Sequence, residues 1–321
     1  MPTRNSLVAL FGILLVLAAS GCTGLISGLG GGTTTSAGGS VTITSFTSDE
    51  TNIEGNQKIA LTMEIKNQGD STARSVKAQL TTLDLACAQA SCAATDTQWG
   101  LLNGQRDAVI SDLKVVAVGE EAVPRTYTWR VQAPKLPANM VQTYDALARV
   151  SYSYSTETSR LIRIVSKDEY DSLKQAGQLP PVHTTVTSNG PIGIDVTVKE
   201  PIKIEDAMES FMLSITLKNL AGGTVYADNI DASSDRNKMW VKLFLTPGIG
   251  LLGSGDAECN RLVSDAKGLL AELNKGTFTI QCEFSSNRPI ASIDKEIRIK
   301  AQYGYFSDST VKITVTGKTR Y

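Results

Sequence analysis

Polar and apolar residues alternate through most of the chain. Lys58–Asn67 reads KIALTMEIKN, with Ile59, Leu61, Met63 and Ile65 on one face. A strict period of two predicts a β-strand with one buried side. Ser210–Asn219 (SFMLSITLKN) repeats the pattern 152 residues later and also ends in Lys-Asn. Arg125–Trp129 (RTYTW) matches Gly276–Ile280 (GTFTI) at a spacing of 151. Asp145–Tyr154 (DALARVSYSY) matches Glu296–Tyr305 (EIRIKAQYGY), also at 151. Both of these last blocks are expected to turn through Ser, Thr and acidic residues into a final strand, Leu161–Val165 and Val311–Val315. Any two strands share alternation, but not a nearly constant offset. The body of the chain therefore reads as a duplicated β unit.

The predicted fold class is all-β: two tandem antiparallel β-sandwiches, Ig-like, at 41–165 and 191–321, joined by a helix and Pro-rich linker at 166–190. Each unit is long enough to bury its own core and is broken into short alternating runs by Gly, Asn, Asp and Pro. The linker opens on Ser166-Lys167-Asp168-Glu169, the reciprocal pattern of a capping box, with Val165 and Tyr170 placed as a hydrophobic staple. Gly177 and then Pro180-Pro181 stop the helix, which is predicted over 167–176. A second helix is predicted over Ser264–Leu273, with Gly268 inside it. The units diverge most in Leu83–Gly119 and Asp228–Lys275, which read as variable loops.

The N-terminus departs from this pattern. Leu7–Ala19 is a 13-residue apolar run preceded by Arg4 and followed by Ser20, Gly21 and Cys22. It is too short to span a bilayer comfortably and has the form of a signal-peptide core. Thr23–Ser40 is almost all Gly, Ser and Thr, so 22–40 reads as a flexible tether with a reach of roughly 25 Å. Ala19-Ser20-Gly21-Cys22 resembles the lipobox of bacterial and archaeal lipoproteins, although Ala19 stands where that family prefers Leu. The resemblance implies a signal peptide at 1–21 and a lipidated Cys22. An ordinary secretory signal is the simpler alternative. Asn67–Leu80 (NQGDSTARSVKAQL), with its Asn-x-Gly turn and Ala-x-x-Val run, resembles CARDB-type surface domains. So does Val115–Trp129. That family implies an Ig- or fibronectin-III-like fold and transfers no active site.

Charge and chemistry narrow the function. Lys and Arg number 31 against 32 Asp and Glu, which gives no basic surface for nucleic acid. One histidine, His183, makes His-based metal centres and Ser/His or Cys/His catalysis poor matches. Beyond Cys22 there are four cysteines. An exported chain permits disulfides, and the favoured pairing is within units, Cys87–Cys92 and Cys259–Cys282. A zinc site is the rival reading, but C-x4-C without a second nearby pair fits it poorly. Asp228, Asp231 and Asp235 form an acidic run absent from the first unit, which leaves calcium open against a solvated loop. Trp99, Trp129, Tyr152, Tyr154, Tyr303 and Tyr305 are either a sugar-stacking platform or packing residues.

No catalytic residue, cofactor or metal is assigned. The reading is a non-enzymatic, lipid-anchored protein on the outer face of the cytoplasmic membrane or in the cell envelope. It would serve adhesion, envelope structure or protein interaction, and its partner would be the membrane together with a surface protein or glycan. The alternatives are a solute- or carbohydrate-binding lipoprotein and a hydrolase using paired carboxylates. If Cys22 carries the anchor, Cys22→Ser moves the protein out of the membrane fraction or leaves it unprocessed. A wild-type chain that partitions into the aqueous phase on detergent separation, with its N-terminus elsewhere, is simply secreted.

Overall fold

The computed structural model describes residues 39–318, apart from 88–90, 104, 116–119 and 253–255. The signal peptide, Cys22 and most of the 22–40 tether lie outside them. Gly39 and Ser40, assigned to the tether, belong to the fold: the Gly39 amide donates to Asn189 Oδ1 at 2.6 Å, and Ser40 is buried.

The first half contains β1 (Val41–Ser48), β2 (Asn52–Glu54), β3 (Lys58–Asn67), β4 (Arg74–Leu80), β5 (Gly100–Asn103), β6 (Asp107–Val109), β7 (Arg125–Gln132) and β8 (Val141–Ser166), and ends in α1 (Lys167–Gln175). The second contains β9 (Thr185–Thr187), β10 (Ile192–Val198), β11 (Ile202–Ile204), β12 (Met208–Asn219), β13 (Thr224–Tyr226), β14 (Lys238–Leu245), β15 (Ile249–Leu251), α2 (Ala257–Ser264), β16 (Leu269–Glu272), β17 (Thr277–Asn287) and β18 (Ser292–Thr316). The fold is an all-β sandwich. One four-stranded sheet has the order β1-β3-β7-β5, another the order β10-β12-β17-β15, and a ten-stranded sheet runs through β16-β14-β18-β8-β4-β6.

The ten-stranded sheet is built on β8 and β18, which pair antiparallel over their whole length, from Ser292↔Val165 to Thr316↔Val141. The turns expected before Leu161 and Val311 do not form. Ser155–Ser159 contains no Gly or Pro, and its alternation continues: Thr156 and Thr158 are buried while Glu157 is exposed. The Thr156 hydroxyl bonds to the Tyr303 hydroxyl at 2.6 Å, and that of Thr158 to Thr187 at 2.9 Å. A polar stretch that reads as a turn in isolation becomes strand because the other half offers it a paired backbone.

The pairing is pseudo-twofold. Ser153 lies opposite Gly304, its counterpart in the repeat, so equivalent residues meet at the centre. The C-terminal part of β18 completes the first half's sheet and pairs in parallel with β2. The C-terminal part of β8 does the same for the second half, pairing with β11. Equivalent ion pairs flank the centre on the outer face: Arg149 Nε–Asp308 Oδ1 at 2.7 Å and Lys300 Nζ–Glu157 Oε1 at 2.8 Å. On the inner face Tyr152, Tyr154, Tyr303 and Tyr305 form one cluster, with ring centroids 5.9 to 6.5 Å apart. Burial raises the phenols of Tyr152 and Tyr303 far above their usual range and pushes Tyr305 up to about 12.

The Asn at the end of each repeated strand has a common task. Asn67 accepts from the Gly69 amide and donates to the Ser71 carbonyl at 2.9 Å, and the Ser71 amide donates to the Tyr154 hydroxyl at 2.9 Å. Asn219 accepts from the Ala221 amide and donates to the Gly223 carbonyl at 2.8 Å, and the Gly223 amide donates to the Tyr305 hydroxyl at 2.7 Å. Each Asx turn is thus tied to a tyrosine of the central cluster.

Two assignments in the repeat change. Leu61 pairs with Trp129, but its counterpart Leu213 pairs with Cys282. Equivalent residues of β7 and β17 therefore lie 153 apart, not 151. A slip of two keeps every side chain on its face, which hides it from the periodicity. The helix expected over Ser264–Leu273 does not form: α2 lies upstream and ends at Ser264, and Leu269–Glu272 is strand. Asp256 caps α2 by accepting from the Glu258 amide at 2.9 Å. Gly268 then turns the chain at φ +89, with a Cβ position 2.1 Å from the Val241 carbonyl oxygen. The first helix forms as expected at Lys167–Gln175, with Ser166 accepting from the Glu169 amide. Both disulfides are the within-unit pairs, Cys87–Cys92 and Cys259–Cys282. Among the described residues no helix is long and apolar enough to cross a membrane.

Because each half is completed by the other's last strand, a fragment covering 39–190 is expected to have no stable monomer. Sedimentation should show it as a dimer whose β8 strands pair about Ser153. A well-folded monomer with sharp amide resonances would show that the exchange is dispensable.

Candidate functional site

The outer face of the ten-stranded sheet carries a groove of about 860 Å³ directly over the pseudo-twofold centre. Its floor is set by strand alternation: Ser151, Ser153 and Ser155 of β8 lie on the outer face while Tyr152 and Tyr154 face the core, with Ser153 exposed, Ser155 half-buried and Ser151 covered by its neighbours. Cross-strand register arranges the lining in rows. One row runs Tyr226, Gly304, Ser153, Arg74, and the next runs Trp240, Gln302, Ser155. Gly304 is required here, because a Cβ would lie 2.1 Å from the Tyr226 ring carbon Cζ. The ring therefore lies on the sheet surface and gives the groove an aromatic wall.

The repeat also shows how the groove loses its symmetry. The second half carries an insertion between β13 and β14, in the region of acidic residues noted in the sequence. Asp228 accepts from Trp240 Nε1 at 3.1 Å and pairs with Lys267 Nζ at 3.4 Å. Lys267 lies over the Trp240 ring, 4.9 Å from its centroid. Asp235 accepts from the Asn229 amide at 2.9 Å. Asp228 and Asp235 thus hold this loop through their carboxylates, Asp231 joins it through its backbone amide, which donates to Asn229 Oδ1 at 3.0 Å, and among the described residues no three His, Cys, Asp or Glu side chains gather as a metal site. Burial, and then the Asp231 charge, raises the Tyr226 phenol above its usual value, so it stays a neutral hydrogen-bonding group.

On the opposite side, β4 presents Arg74, Lys77 and Gln79. Arg74 and Lys77 are exposed, and neither is in an ion pair among the described residues. Lys300 in the floor is matched by Glu157. The groove thus combines hydroxyls, amides and two aromatic rings with a pair of available cations, with Arg74, Lys77, Tyr226, Trp240 and the floor on paired strands and the loop at 228–231 along one wall. Rigid placement lowers the ordering cost of binding.

The other residues singled out in the sequence are placed differently. Trp99, Trp129, Tyr152, Tyr154, Tyr303 and Tyr305 are buried, so they pack the core and do not form an exposed stacking platform. Trp129 Nε1 donates to the Gln105 carbonyl at 3.0 Å. His183 has the orienting carboxylate that the sequence did not reveal: its Nδ1 lies 3.0 Å from Glu200 Oε2. Glu200 is buried and also pairs with the buried Arg160, Nη2 to Oε1 2.9 Å. This network ties β8 to the segment after β10, and His183 completes it. Trp240, Tyr226 and Arg74 were not marked by the sequence as site residues. The outward alternation of Ser151, Ser153 and Ser155 was the available signal.

No protein-family model matches the chain, and no curated protein matches it. Among solved structures it is similar to red sea bream transglutaminase (TM-score 0.19, 10% identity, 85% of this chain and 31% of that one). It is also similar to Escherichia coli alpha-2-macroglobulin activated by porcine elastase (TM-score 0.21, 10% identity, 82% and 32%). A third is the CupB6 tip adhesin from Pseudomonas aeruginosa (TM-score 0.18, 10% identity, 89% and 93%). The chain spans about a third of the length of the first two.

The buried pair gives a direct stability test. Glu200→Ala leaves the Arg160 charge uncompensated and is expected to cost about 3–5 kcal/mol in denaturant unfolding. A loss under about 1 kcal/mol, as for an exposed pair, would show that the network is solvated.

Proposed function

We propose that this chain is an exported, lipid-anchored surface protein that binds a polar ligand, without chemistry, in the groove over the shared sheet. The groove itself carries the reading: a concave site of about 860 Å³ lined by Ser, Thr, Gln, Tyr226, Trp240, the loop at 228–231 and the unpaired cations Arg74 and Lys77. This volume lies within the usual range of ligand sites. The signal-like N-terminus and the Gly/Ser/Thr segment after Cys22 support an extracytoplasmic location. The lipobox and CARDB resemblances support the same surface role. An anchor at Cys22 with a tether through residue 38 would hold the groove outside the membrane, where it meets envelope material. Adhesion and envelope organisation are the roles that suit a binder built on paired strands and held by an anchor.

The test uses a substitution that fills the groove without touching the core. Ser153 is exposed at the centre of the floor, so Ser153→Trp should leave the melting temperature near wild type. The wild-type protein should be retained on purified envelope fragments, and the variant should lose at least about tenfold in affinity, the equivalent of about 1.4 kcal/mol. Equal retention of the two proteins would remove the groove from the binding surface.

A further inference from the structure

We propose that the ligand of this groove is an acidic saccharide, a sugar chain carrying carboxylate or sulfate groups. The inference rests on the binding role proposed above and assigns its chemistry from four features. First, the groove crosses the middle of a ten-stranded sheet, where β4, β8, β18 and β14 already satisfy one another's backbone groups. A peptide therefore cannot add as a strand there, as it can at a sheet edge. Second, the floor offers hydroxyl and amide side chains, Ser153, Ser155, Gln79 and Gln302. These match the dense donors and acceptors of a sugar ring better than they match apolar side chains.

Third, Tyr226 and Trp240 stand along one wall. The Tyr226 ring is held with one face against Gly304, and Trp240 is fixed through its Nε1 hydrogen bond to Asp228 and covered on one face by Lys267. Fixed aromatic rings supply an apolar surface for the C–H face of a sugar at little entropic cost. Fourth, Arg74 and Lys77 stand on the other wall. Asp228 neutralises Lys267 and Glu157 neutralises Lys300. Arg74 and Lys77 have no such carboxylate among the described residues. Asp231 also lines the groove, beside Tyr226 and thus on the wall opposite Arg74, so the anionic substituent belongs at the Arg74 and Lys77 wall, with the sugar ring stacked on the other side. Arg74 is placed to take a carboxylate or sulfate through its planar fork, and Lys77 adds a point charge. A long nucleic acid would need a broad basic surface, which a net charge of -1 does not provide.

The experiment is titration calorimetry of the folded chain with three probes: a short oligouronate, the same oligosaccharide after reduction of its carboxyls to alcohols, and a sulfated oligosaccharide. The oligouronate, the sulfated probe or both should bind, with affinity falling as salt is raised. The carboxyl-reduced sugar should bind at least about tenfold more weakly. The double variant Arg74→Gln, Lys77→Gln should lose about tenfold or more toward the anionic probes, the range of one charged hydrogen bond, and should leave the reduced sugar unaffected. The relative strength of the uronate and sulfate arms tells the two sources of charge apart. Equal binding of the oligouronate and its reduced form would overturn the acidic assignment and leave groove binding intact. If none of the probes binds while envelope fragments are still retained and Ser153→Trp still releases them, the saccharide inference fails and the proposed function survives. Since both residues are exposed, a change in melting temperature for the double variant should be small. Arg74→Lys serves as a second variant that keeps the charge and removes the fork.

Discussion

The antiparallel pairing of β8 with β18 is the interaction on which the other features depend. It joins two repeated halves along 25 consecutive residue pairs, and it gives each half the strand its own sequence cannot place. The parallel strands β2 and β11 have no partner without it. Paired backbone satisfies groups that would otherwise be exposed at a long edge. The four-tyrosine cluster and the two Asx turns fasten the inner face of this pairing. The Arg149–Asp308 and Lys300–Glu157 pairs fasten the outer one. Cross-strand pairs of this kind contribute modestly one at a time, roughly 0.2–1 kcal/mol each. Their role here is to fix register over a long interface where a slip of one residue would turn every side chain over.

The same pairing makes the groove. A strand crossing that is twofold in backbone would leave two equivalent surfaces on either side of Ser153 and Gly304. Divergence between the halves breaks this equivalence. On one side Tyr226 and the inserted loop with Asp228 build an aromatic wall. On the other, Arg74 of β4 occupies the place that corresponds to Tyr226 across the sheet. The repeat thus supplies a stiff base, and the departures from it supply the chemistry. The Arg160–Glu200–His183 network belongs to the base: it is a buried joint between β8 and the second half.

The amino-acid sequence by itself determined the periodic elements. The alternation of Ile59, Leu61, Met63 and Ile65, the capping box at Ser166 and the within-unit cysteine pairs are local or composition-driven, and each appears in the structure. The duplicated offset was legible as well, because repeated strands keep their spacing. Where loops intervene, spacing alone misplaced β17 by two residues, since an even slip preserves the buried face.

Tertiary structure alone decided the rest. Ser155–Ser159 is polar and locally turn-like, yet it is strand because β18 lies beside it. His183 looks isolated along the chain, and Glu200 finds it only after folding. Burial of the aromatic residues, and the meeting of Arg74, Ser153, Gly304 and Tyr226 in one row, depend on register between strands up to about 150 residues apart. Periodicity records which face a residue occupies. It does not record which distant strand will stand opposite, because that choice is made by the closing of the whole sheet.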